Sequence, residues 1–484
     1  MEYIIKGQKP EAFFRHFEEI SAIPRGSGNE EAVSAFLMQF AQKNGLTAWR
    51  DAVYNVVIVK PASAGYEDAP SVILQGHTDM VCEKNAATQH DFLTEGIRLI
   101  QEGNILRADG TTLGADNGVA VAMMMTILED QTLCHPALYC IFTVQEETGL
   151  TGAKELDGSR IPARLLINLD SGGLGHGTVS CAGGMRVHMR RTCHFEPCTL
   201  PALAVRIRGL LGGHSGTEIG LGRGNANKLM GRILYALLQT VPDMSLSEIA
   251  GGSKDNAIPR ECDAVCVFST EKDRNCAVDL VRKIESDIVR ELGDADPGFS
   301  VLTESVQATQ KMADADARAL IELLMLAPNG VRDRNENAGG FIVRSLNLGV
   351  IRMEEKTAVL VFAPRSSVAT LQQQIEEELK LLAKTFSFSV EIHDAYPGWA
   401  YNPESPLRRL FCDVWKEQTG GTFVTEAIHA GLECGLFCDK LPGLDAIAVG
   451  ADCTGCHTPD ESLDMTSIEP LYRLVSEVLA RIRQ

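Results

Sequence analysis

Three short apolar runs, each followed closely by acidic or imidazole side chains, constrain the fold of this chain more than any other feature. Uninterrupted runs of this length are typical of strands that are buried on both faces of a sheet. Helical patterns separate them, and strands that alternate with helices predict an α/β fold with a mostly parallel sheet. The runs and the polar residues behind them are 71–74 with His77 and Asp79, 137–144 with Glu146 and Glu147, and 165–169 with Asp170.

A first candidate site lies in residues 75–80, QGHTDM. Residues two apart in an extended chain point to the same side, so the His77 imidazole and the Asp79 carboxylate lie together where the strand ends. The end of a strand is the usual place for chemistry in an open α/β sheet. We expect His77 to bind a metal and Asp79 to orient it. A pair with this spacing also occurs by chance in many chains, so the prediction depends on residues further downstream.

The chain is too long for a single core, since 484 residues predict two or three domains. After the glycines at 183–184, the alternation of strands and helices gives way to a β-α-β-β-α-β order over 203–305, which recurs more loosely over 313–393. This pattern predicts an antiparallel α+β insert, with two related β-α-β-β-α-β halves as one interpretation. The expected domains are an α/β domain formed by residues 1–186 and 395–484, and an α+β domain at 187–394.

Composition excludes several classes of partner. Lys and Arg number 45 against 64 Asp and Glu, and this net charge of −19 repels nucleic acids and anionic membranes. No stretch approaches the roughly 18 apolar residues of a membrane span, and the N-terminal residues lack the pattern of a secretory signal. The 14 cysteines are dispersed, which indicates reduced thiols and a cytoplasmic location.

Five candidate metal ligands stand at the ends of predicted strands or in loops. Taken singly, each has an ordinary explanation, such as a helix cap for Asp116, a turn for Asp170 or a loop histidine for His457. Taken together, they supply the carboxylates and imidazoles that suit zinc, and cobalt or manganese as alternatives. A carboxylate can bridge two ions about 3.5–4 Å apart, so the set predicts a two-metal hydrolytic centre. The candidates are His77, Asp116, Glu147, Asp170 and His457.

The adjacent acids Glu146 and Glu147 suggest a division of labour. Neighbouring residues in an extended chain diverge, so one can bind metal while the other faces the substrate. A carboxylate beside a metal-bound water is a natural general base. The alternative is a pair of solvated acids at the end of a strand.

The ordered motifs of this sequence resemble the M20 family of dizinc metallopeptidases. The resemblance rests on residues 75–80, 113–118 (LGADNG), 146–149 (EETG), 168–171 (NLDS) and 457–459 (HTP). Further stretches resemble the aminoacylhistidine dipeptidase branch, also called Xaa-His dipeptidase or peptidase D. They are 209–220 (GLLGGHSGTEIG), 222–228 (GRGNANK), 251–259 (GGSKDNAIP), 345–349 (SLNLG), 396–399 (YPGW) and 428–435 (IHAGLECG).

The resemblance implies a role for each site residue of the α/β domain. It implies that one metal is held by His77 and Asp170, that the other is held by Glu147 and His457, and that Asp116 bridges them. Asp79 resembles the acid that hydrogen-bonds the ligand histidine, and Glu146 resembles the general base.

The resemblance also implies that residues 187–394 form a lid domain. In this domain His214 resembles the residue that stabilises the oxyanion, while Asn256 and Arg365 are expected to bind the carboxylate end of the substrate. A surface arginine is the alternative for Arg365. The free amino end is expected to be held near the metal ligands or by an acid such as Glu433, outside the lid.

The function implied is metal-dependent hydrolysis of dipeptides, with Xaa-His as the preferred class and a homodimer as the expected assembly. Alternatives are another hydrolase of the same kind, such as a tripeptidase or an N-acyl amino acid deacylase, and a non-catalytic metal-binding protein. Two stretches depart from the family pattern, at 172–176 and 450–456. They raise a further alternative, a different metal site formed by His176, Cys453 and Cys456.

Overall fold

The computed structural model describes residues 3–483, and the contacts within the chain divide it into two compact units. The first unit comprises residues 3–181, 401–427 and 432–483, and the second comprises Ala182–Ala400 and Ile428–Gly431. The chain therefore leaves the first unit after β8, builds the second, and then returns.

The elements of the first unit before this excursion are α1 Glu11–Ser21, α2 Glu31–Lys43, β1 Thr47–Arg50, β2 Val56–Lys60, β3 Val72–His77, β4 Leu99–Glu102, β5 Ile105–Ala108, α3 Ala115–Glu129, β6 Leu138–Thr143, α4 Thr151–Glu155, β7 Leu165–Asn168 and β8 His176–Cys181. The elements of the second unit are β9 Gly183–Thr192, β10 Phe195–Arg208, β11 Gly213–His214, α5 Ala226–Thr240, β12 Ser245–Gly251, β13 Ala257–Ile258, β14 Cys262–Val267, α6 Glu271–Leu292, β15 Ser300–Met312, α7 Asp314–Leu326, β16 Gly330–Asn335, β17 Phe341–Glu354, β18 Thr357–Ser366, α8 Ala369–Thr385 and β19 Ser389–Tyr396. The remaining elements are α9 Pro406–Thr419, β20 Val424–Ile428, α10 Glu433–Lys440, β21 Asp445–Ala448, β22 Cys453–Thr454, β23 Ser462–Asp464 and α11 Ile468–Arg481.

The first unit contains an eight-stranded sheet in the order β1-β2-β6-β3-β7-β21-β8-β20. Its four central strands, β6, β3, β7 and β21, are parallel, whereas β1, β2 and β8 pair antiparallel with their neighbours. The predicted α/β fold is confirmed, and the parallel arrangement holds for the centre of the sheet. A small four-stranded sheet, β22-β23-β5-β4, lies in the same unit.

Burial explains why the central strands read as continuous apolar runs. Every residue of β3 is buried, and so are five of the six in β6. Helix α3 is apolar on all sides, including the fully buried Met123, Met124 and Met125, and it belongs to the same core as Phe13 and Phe17 of α1. A helix without a polar face is stable only when it is enclosed, so α3 fixes the position of the loop that precedes it.

The second unit contains a nine-stranded antiparallel sheet with the path β15-β10-β14-β12-β17-β18-β9-β19, and β16 pairs with β17. One half, β10-α5-β12-β14-α6-β15, is a β-α-β-β-α-β module. The other half takes β9, which precedes that module, as its first strand and continues with α7, β17, β18, α8 and β19. Gly251 of β12 pairs with Ile351 of β17 and joins the halves along the sheet.

The first strand of this module, β10, begins beside the point where its last strand, β15, ends. Phe195 of β10 is paired with Met312 of β15, and the Ala313 N–H donates to the His194 carbonyl oxygen at 2.8 Å. Apolar side chains of both halves nevertheless form one continuous core.

Two predictions drawn from composition can be compared with the structure. All 14 cysteines have free thiols, as predicted from their dispersed positions. No helix among residues 3–483 combines the length and apolar character needed to cross a membrane.

Candidate metal centre

The ends of three neighbouring parallel strands bring candidate ligands together. His77 is the last residue of β3 and is paired with Thr143 at the end of β6, while β7 pairs with β3 on its other side. The chain then continues from β6 to Glu147 and from β7 to Asp170. Three of the predicted ligands therefore leave the sheet at the same edge.

His77 lies between two acidic groups. Its Nε2 is 3.1 Å from Oδ1 of Asp116 and 3.7 Å from Oδ1 of Asp170. Its Nδ1 is 3.1 Å from the carbonyl oxygen of Asp79 and 3.3 Å from Oδ1 of the same residue. Because both neighbours of Nδ1 are acceptors, Nδ1 carries a proton, and loss of the other proton leaves the Nε2 lone pair directed at the carboxylates.

His457 reaches the same carboxylate cluster from a loop after β22. Its Nε2 is 3.2 Å from Oδ2 of Asp116 and 3.0 Å from Oε1 of Glu147. Its φ of 65° lies in the left-handed region, which residues with a side chain seldom adopt. The loop thus holds an uncommon backbone conformation at the point where the imidazole meets the carboxylates.

Asp116 occupies the centre of the cluster, because each of its two oxygens faces a different imidazole. Its own backbone is extended, with φ −83° and ψ 105°, although it stands at the start of α3. Three groups of potential ligand atoms each lie within 4.8 Å of one another. They are His77, Asp116 and Asp170; His77, Glu146 and Glu147; and Asp116, Glu147 and His457.

The donor set fits divalent metal ions. Oε1 of Glu147 is buried and lies 3.0 Å from Nε2 of His457. A carboxylate oxygen inside a buried cluster is costly unless a cation or a proton neutralises it. Two of the three groups share Asp116, which is the arrangement of a carboxylate between two ions.

The pKa values of the clustered residues reflect the concentration of negative charge at this site. Burial lowers the pKa of His77, but Asp170 and Asp116 outweigh this effect and raise it well above its usual value. Hydrogen bonds with Asp116 and Glu147 raise the pKa of His457 to about 10. Burial raises the pKa of Asp170 to about 6. His77, His457 and Asp170 therefore hold protons more tightly than usual. They do so at the positions where a bound divalent cation would supply the positive charge instead.

Asp79 is fully buried and connects His77 to the loop that carries the paired glutamates. Its carboxylate accepts hydrogen bonds from Ser27 Oγ at 2.7 Å and from the backbone N–H groups of Glu146 and Glu147 at 3.1 and 3.3 Å. This side chain can therefore orient the imidazole and fix the glutamate loop at once.

The extended-chain argument does not apply to Glu146 and Glu147, which lie in a turn after β6. One carboxylate oxygen of each lies within 4.8 Å of the other and of a ring nitrogen of His77, and Oε1 of Glu147 is 3.0 Å from Nε2 of His457. Burial raises the pKa of Glu146 well above its usual value; His77 lowers it, and Asp170 raises it further. A carboxylate with a raised pKa is better matched to proton transfer near neutral pH.

Glu433 is fully buried at the start of α10, which gives no support to its predicted contact with substrate. Its Oε2 accepts hydrogen bonds from Gln75 and from Thr143 Oγ1, the latter at 2.7 Å, whereas Oε1 is buried without a partner. Gln75 in turn accepts from Asn168 at 2.6 Å. Burial raises the pKa of Glu433 to about 7. The residue belongs to a polar network among the strands.

A second group of predicted residues gathers within the second unit. His214 of β11 is paired with Ala257 of β13, next to Asn256. Nδ1 of His214 accepts hydrogen bonds from the N–H groups of Gly216 and Thr217 at 3.3 and 3.2 Å. Burial, followed by the charge of Arg365, lowers the pKa of His214, so the ring is neutral and its proton resides on Nε2.

Arg365 and Asn256 line one cleft of the second unit, together with Tyr396. Nη1 of Arg365 donates to the Tyr396 hydroxyl at 3.0 Å, and its Nε is buried without a partner. Among the described residues, no carboxylate forms an ion pair with Arg365. A half-buried arginine with no ion-pair partner among the described residues is suited to binding a carboxylate.

The alternative site of His176, Cys453 and Cys456 receives no support. His176 lies 3.9 Å from a carboxylate oxygen of Glu426, and none of the three occurs in the ligand groups found among residues 3–483. The two cysteines instead line a cleft beside Asp116. Partial desolvation, followed by the charge of Asp116, raises the pKa of the Cys456 thiol.

Two buried charged residues at this centre, Arg25 and Glu461, were not predicted. Each makes three hydrogen bonds with backbone groups beside the ligands. The feature of the sequence that could have indicated Glu461 is its position four residues after His457. Arg25 lies in a Pro- and Gly-containing loop and gave none.

The sequence matches Peptidase family M20/M25/M40 over residues 73–481. It is 35% identical over 478 residues to the cytosol non-specific dipeptidase of Escherichia coli (strain K12), an alignment that covers 98% of each chain. The structure is similar to the crystal structure of the aminoacylhistidine dipeptidase from Vibrio alginolyticus, with a TM-score of 0.95, 33% identity and coverage of 99% and 98% of the two chains. The aminopeptidase PepT of Bacillus cereus has the same fold, with a TM-score of 0.56, 15% identity and coverage of 98% and 99%.

Proposed function

Because the chain belongs to peptidase family M20/M25/M40, we propose that it is a metal-dependent dipeptidase whose centre is the cluster around Asp116. Two relatives that cover the whole chain are dipeptidases by name, one non-specific and one acting on aminoacylhistidines. We propose Xaa-His dipeptides as a preferred class among its substrates.

One observation carries the proposal: the two oxygens of Asp116 face the two imidazoles, His77 and His457. An isolated ion pair would need only one imidazole, whereas here Oε1 of Glu147 also lies 3.0 Å from His457, so three carboxylate oxygens converge on two imidazoles. His77, Asp170 and Asp116 would hold one divalent ion, and Glu147, His457 and Asp116 the other.

Two such ions, when bound, polarise a peptide carbonyl and make a water acidic enough to ionise near neutral pH. Zinc is the proposed metal, since carboxylate and imidazole ligands suit it, with cobalt or manganese as alternatives.

Glu146 is proposed as the general base. It accepts the proton of the attacking water at its carboxylate and then delivers that proton to the leaving amine. Its buried position and raised pKa support this role, and the hydrogen bonds of the Glu146 and Glu147 N–H groups to Asp79 hold the loop in place during the transfer.

The second unit is proposed as the lid that supplies substrate contacts. The Nε2–H of His214 would donate to the scissile carbonyl oxygen as negative charge develops on it. Arg365 and Asn256 would bind the carboxylate end, because the half-buried Arg365 has no ion-pair partner among the described residues. Recognition of that end would restrict substrates to short peptides.

A hydrolysis screen tests the proposal. It should contain Xaa-His dipeptides, other dipeptides, tripeptides and N-acyl amino acids, each assayed before chelation, after chelation and after addition of Zn²⁺, Co²⁺ or Mn²⁺. We expect dipeptides to be cleaved fastest, chelation to abolish cleavage and metal to restore it. Faster cleavage of tripeptides or N-acyl amino acids would favour a tripeptidase or a deacylase. Activity unaffected by chelators would contradict the metal centre, and metal binding without any hydrolysis would favour a non-catalytic protein.

We also propose a cytoplasmic location and a homodimer. The cytosolic name of the Escherichia coli relative supports the first. The second rests on the family resemblance alone, and a mass measured by light scattering that corresponds to a single chain would contradict it.

A further inference from the structure

We propose that Arg25 and Glu461 are positioning residues that hold the Asp116 loop in register with the loops carrying His77 and His457. The inference rests on the proposed function, because it concerns the binding of the two metal ions. Neither residue is assigned a direct contact with metal or substrate.

Glu461 binds the loop that leads into Asp116 entirely through backbone groups. Its Oε2 accepts hydrogen bonds from the N–H groups of Leu113 and Gly114 at 2.7 and 2.9 Å, and its Oε1 accepts from the Asp116 N–H at 3.1 Å. These three N–H groups stand at the start of α3, where no earlier turn of helix could satisfy them. Both carboxylate oxygens are therefore used, and the orientation of the side chain is fixed.

Glu461 also lies on the segment that carries His457, four residues earlier. Its carboxylate therefore links two stretches of chain that are more than 300 residues apart in sequence and that carry two of the ligands. Since His457 and Asp116 meet at 3.2 Å, a shift of one stretch relative to the other would separate them directly.

Arg25 makes the corresponding connection to the third stretch. Its Nη1 donates to the carbonyl oxygens of Thr78 and Asp79 at 2.9 and 3.2 Å, and its Nη2 donates to that of Gly114 at 2.5 Å. The planar guanidinium can serve both loops at once, which a lysine ammonium on a flexible stem cannot do with the same geometry.

The glycines of the Asp116 loop leave the space that Arg25 needs. A Cβ atom at Gly114 would lie 2.5 Å from Nη2 of Arg25, and one at Gly118 would lie 2.8 Å from it. Gly114 also has a φ of 70°, a conformation that favours glycine. The motif LGADNG thus accommodates a buried cation as well as providing a ligand.

A purely structural role would be the simpler explanation, because buried charges with opposite sign often stabilise a fold. The positioning role differs from a purely structural role because it requires the hydrogen bonds to reach backbone groups next to the metal ligands. All six bonds end on residues 78–79 or 113–116, each within three positions of a proposed ligand. Loss of these bonds should therefore change metal binding more than global stability.

The test is titration of the full-length apoprotein with Zn²⁺ alone by calorimetry, and with Co²⁺ alone by visible absorption, in wild type and in Glu461→Gln. The amide nitrogen of the variant must face a backbone N–H, donor against donor. We expect affinity for at least one ion to fall about 10–100-fold, the range seen when support of a ligand is removed. The Co²⁺ spectrum should change at the same time, because Asp116 would move.

Glu18→Gln is the matched control. Glu18 is also buried in the first unit, and its two oxygens accept hydrogen bonds from the N–H groups of Ile4 and Ile5 at 2.8 Å each. Its substitution should lower the midpoint of thermal unfolding by as much as Glu461→Gln does and leave both ions bound as in wild type.

Arg25→Lys provides a second variant if Glu461→Gln does not fold. It retains the charge and should also weaken binding of an ion. Wild-type affinities and spectra in a folded Glu461→Gln, or in Arg25→Lys, would overturn the inference for that residue. If Glu18→Gln weakened metal binding to the same extent, the inference would be overturned for both Arg25 and Glu461. Fewer than two ions bound by the wild type would instead overturn the proposed metal centre, and the inference with it.

Discussion

The two candidate sites have opposite charge, one in each unit. The cluster of the first unit brings five carboxylates around two imidazoles, whereas the cleft of the second unit contains an arginine with no anionic partner among the described residues. The carboxylates of the first site suit divalent cations, and the Arg365 guanidinium of the second suits the carboxylate of a free dipeptide.

Histidines show the difference most directly. Hydrogen bonds with carboxylates raise the pKa of His457 to about 10, while burial, together with the charge of Arg365, lowers that of His429 to about 3. His429 is accordingly neutral, and its Nε2 lies 2.7 Å from the hydroxyl of Ser345. A histidine is thus a candidate metal ligand in the first unit, at His457, and a neutral hydrogen-bonding group in the second, at His429.

The largest effect should come from the anionic site. Glu146→Gln should lower kcat by about 10²–10⁴-fold, since it removes a general base. The content of bound metal, measured by atomic emission, should stay at the wild-type level, because Glu146 is outside the two groups that share Asp116. Glu155→Gln, at an exposed acid of the same unit, serves as the control. Near-normal turnover in Glu146→Gln would exclude this residue as the base.

A smaller effect is expected from the neutral donor of the second unit. His214→Ala should lower kcat by about 10²–10³-fold, the cost of losing one donor to an oxyanion. Metal content should again be unchanged. His194→Ala replaces an exposed histidine of the same unit and should have no effect. If His214→Ala raised KM alone, the residue would bind ground state and transition state equally, and the oxyanion role would be wrong.

The smallest of the three effects is expected at the cationic cleft. Arg365→Ala should lower kcat/KM by about 30-fold, because loss of one partner of a desolvated charge pair costs about 2 kcal/mol or more. A dipeptide amide, which lacks the carboxylate, should lose far less. Arg352→Ala removes an arginine of β17 that pairs with Glu354 and is the matched control. An equal loss for the amide would show that Arg365 does not read the carboxylate.

The family could be identified from the sequence, and the comparisons confirm it. Four of the five ligands were accessible because they end or follow a strand or open a helix, so local pattern places them at the edge of the sheet, whereas His457 lies in a loop and was found through the family resemblance. His77 and Asp79 illustrate this, since two residues in one extended stretch determine their own geometry. The roles of these residues remain predictions until metal binding is measured.

Other features depend on contacts between distant segments, which no local pattern encodes. The bonds of Glu461 with Leu113 and Gly114 span almost 350 residues. Glu433 lies in a glycine- and cysteine-rich stretch that gave no sign of its complete burial. The outer strands of the first sheet, such as β2, carry the same apolar residues as the parallel ones, so their direction was not evident either.

The pairing of Phe195 with Met312 has a consequence for how such a chain can change over evolutionary time. Because the segment between them enters and leaves at adjacent positions, a single insertion or deletion at that point could add or remove an entire β-α-β-β-α-β module without rethreading the remaining strands. The cost would fall on β17, whose edge would lose the neighbouring β12, and on the shared apolar core. A protein that lost the module would need another surface to cover that edge, and a second copy of itself would be the nearest source.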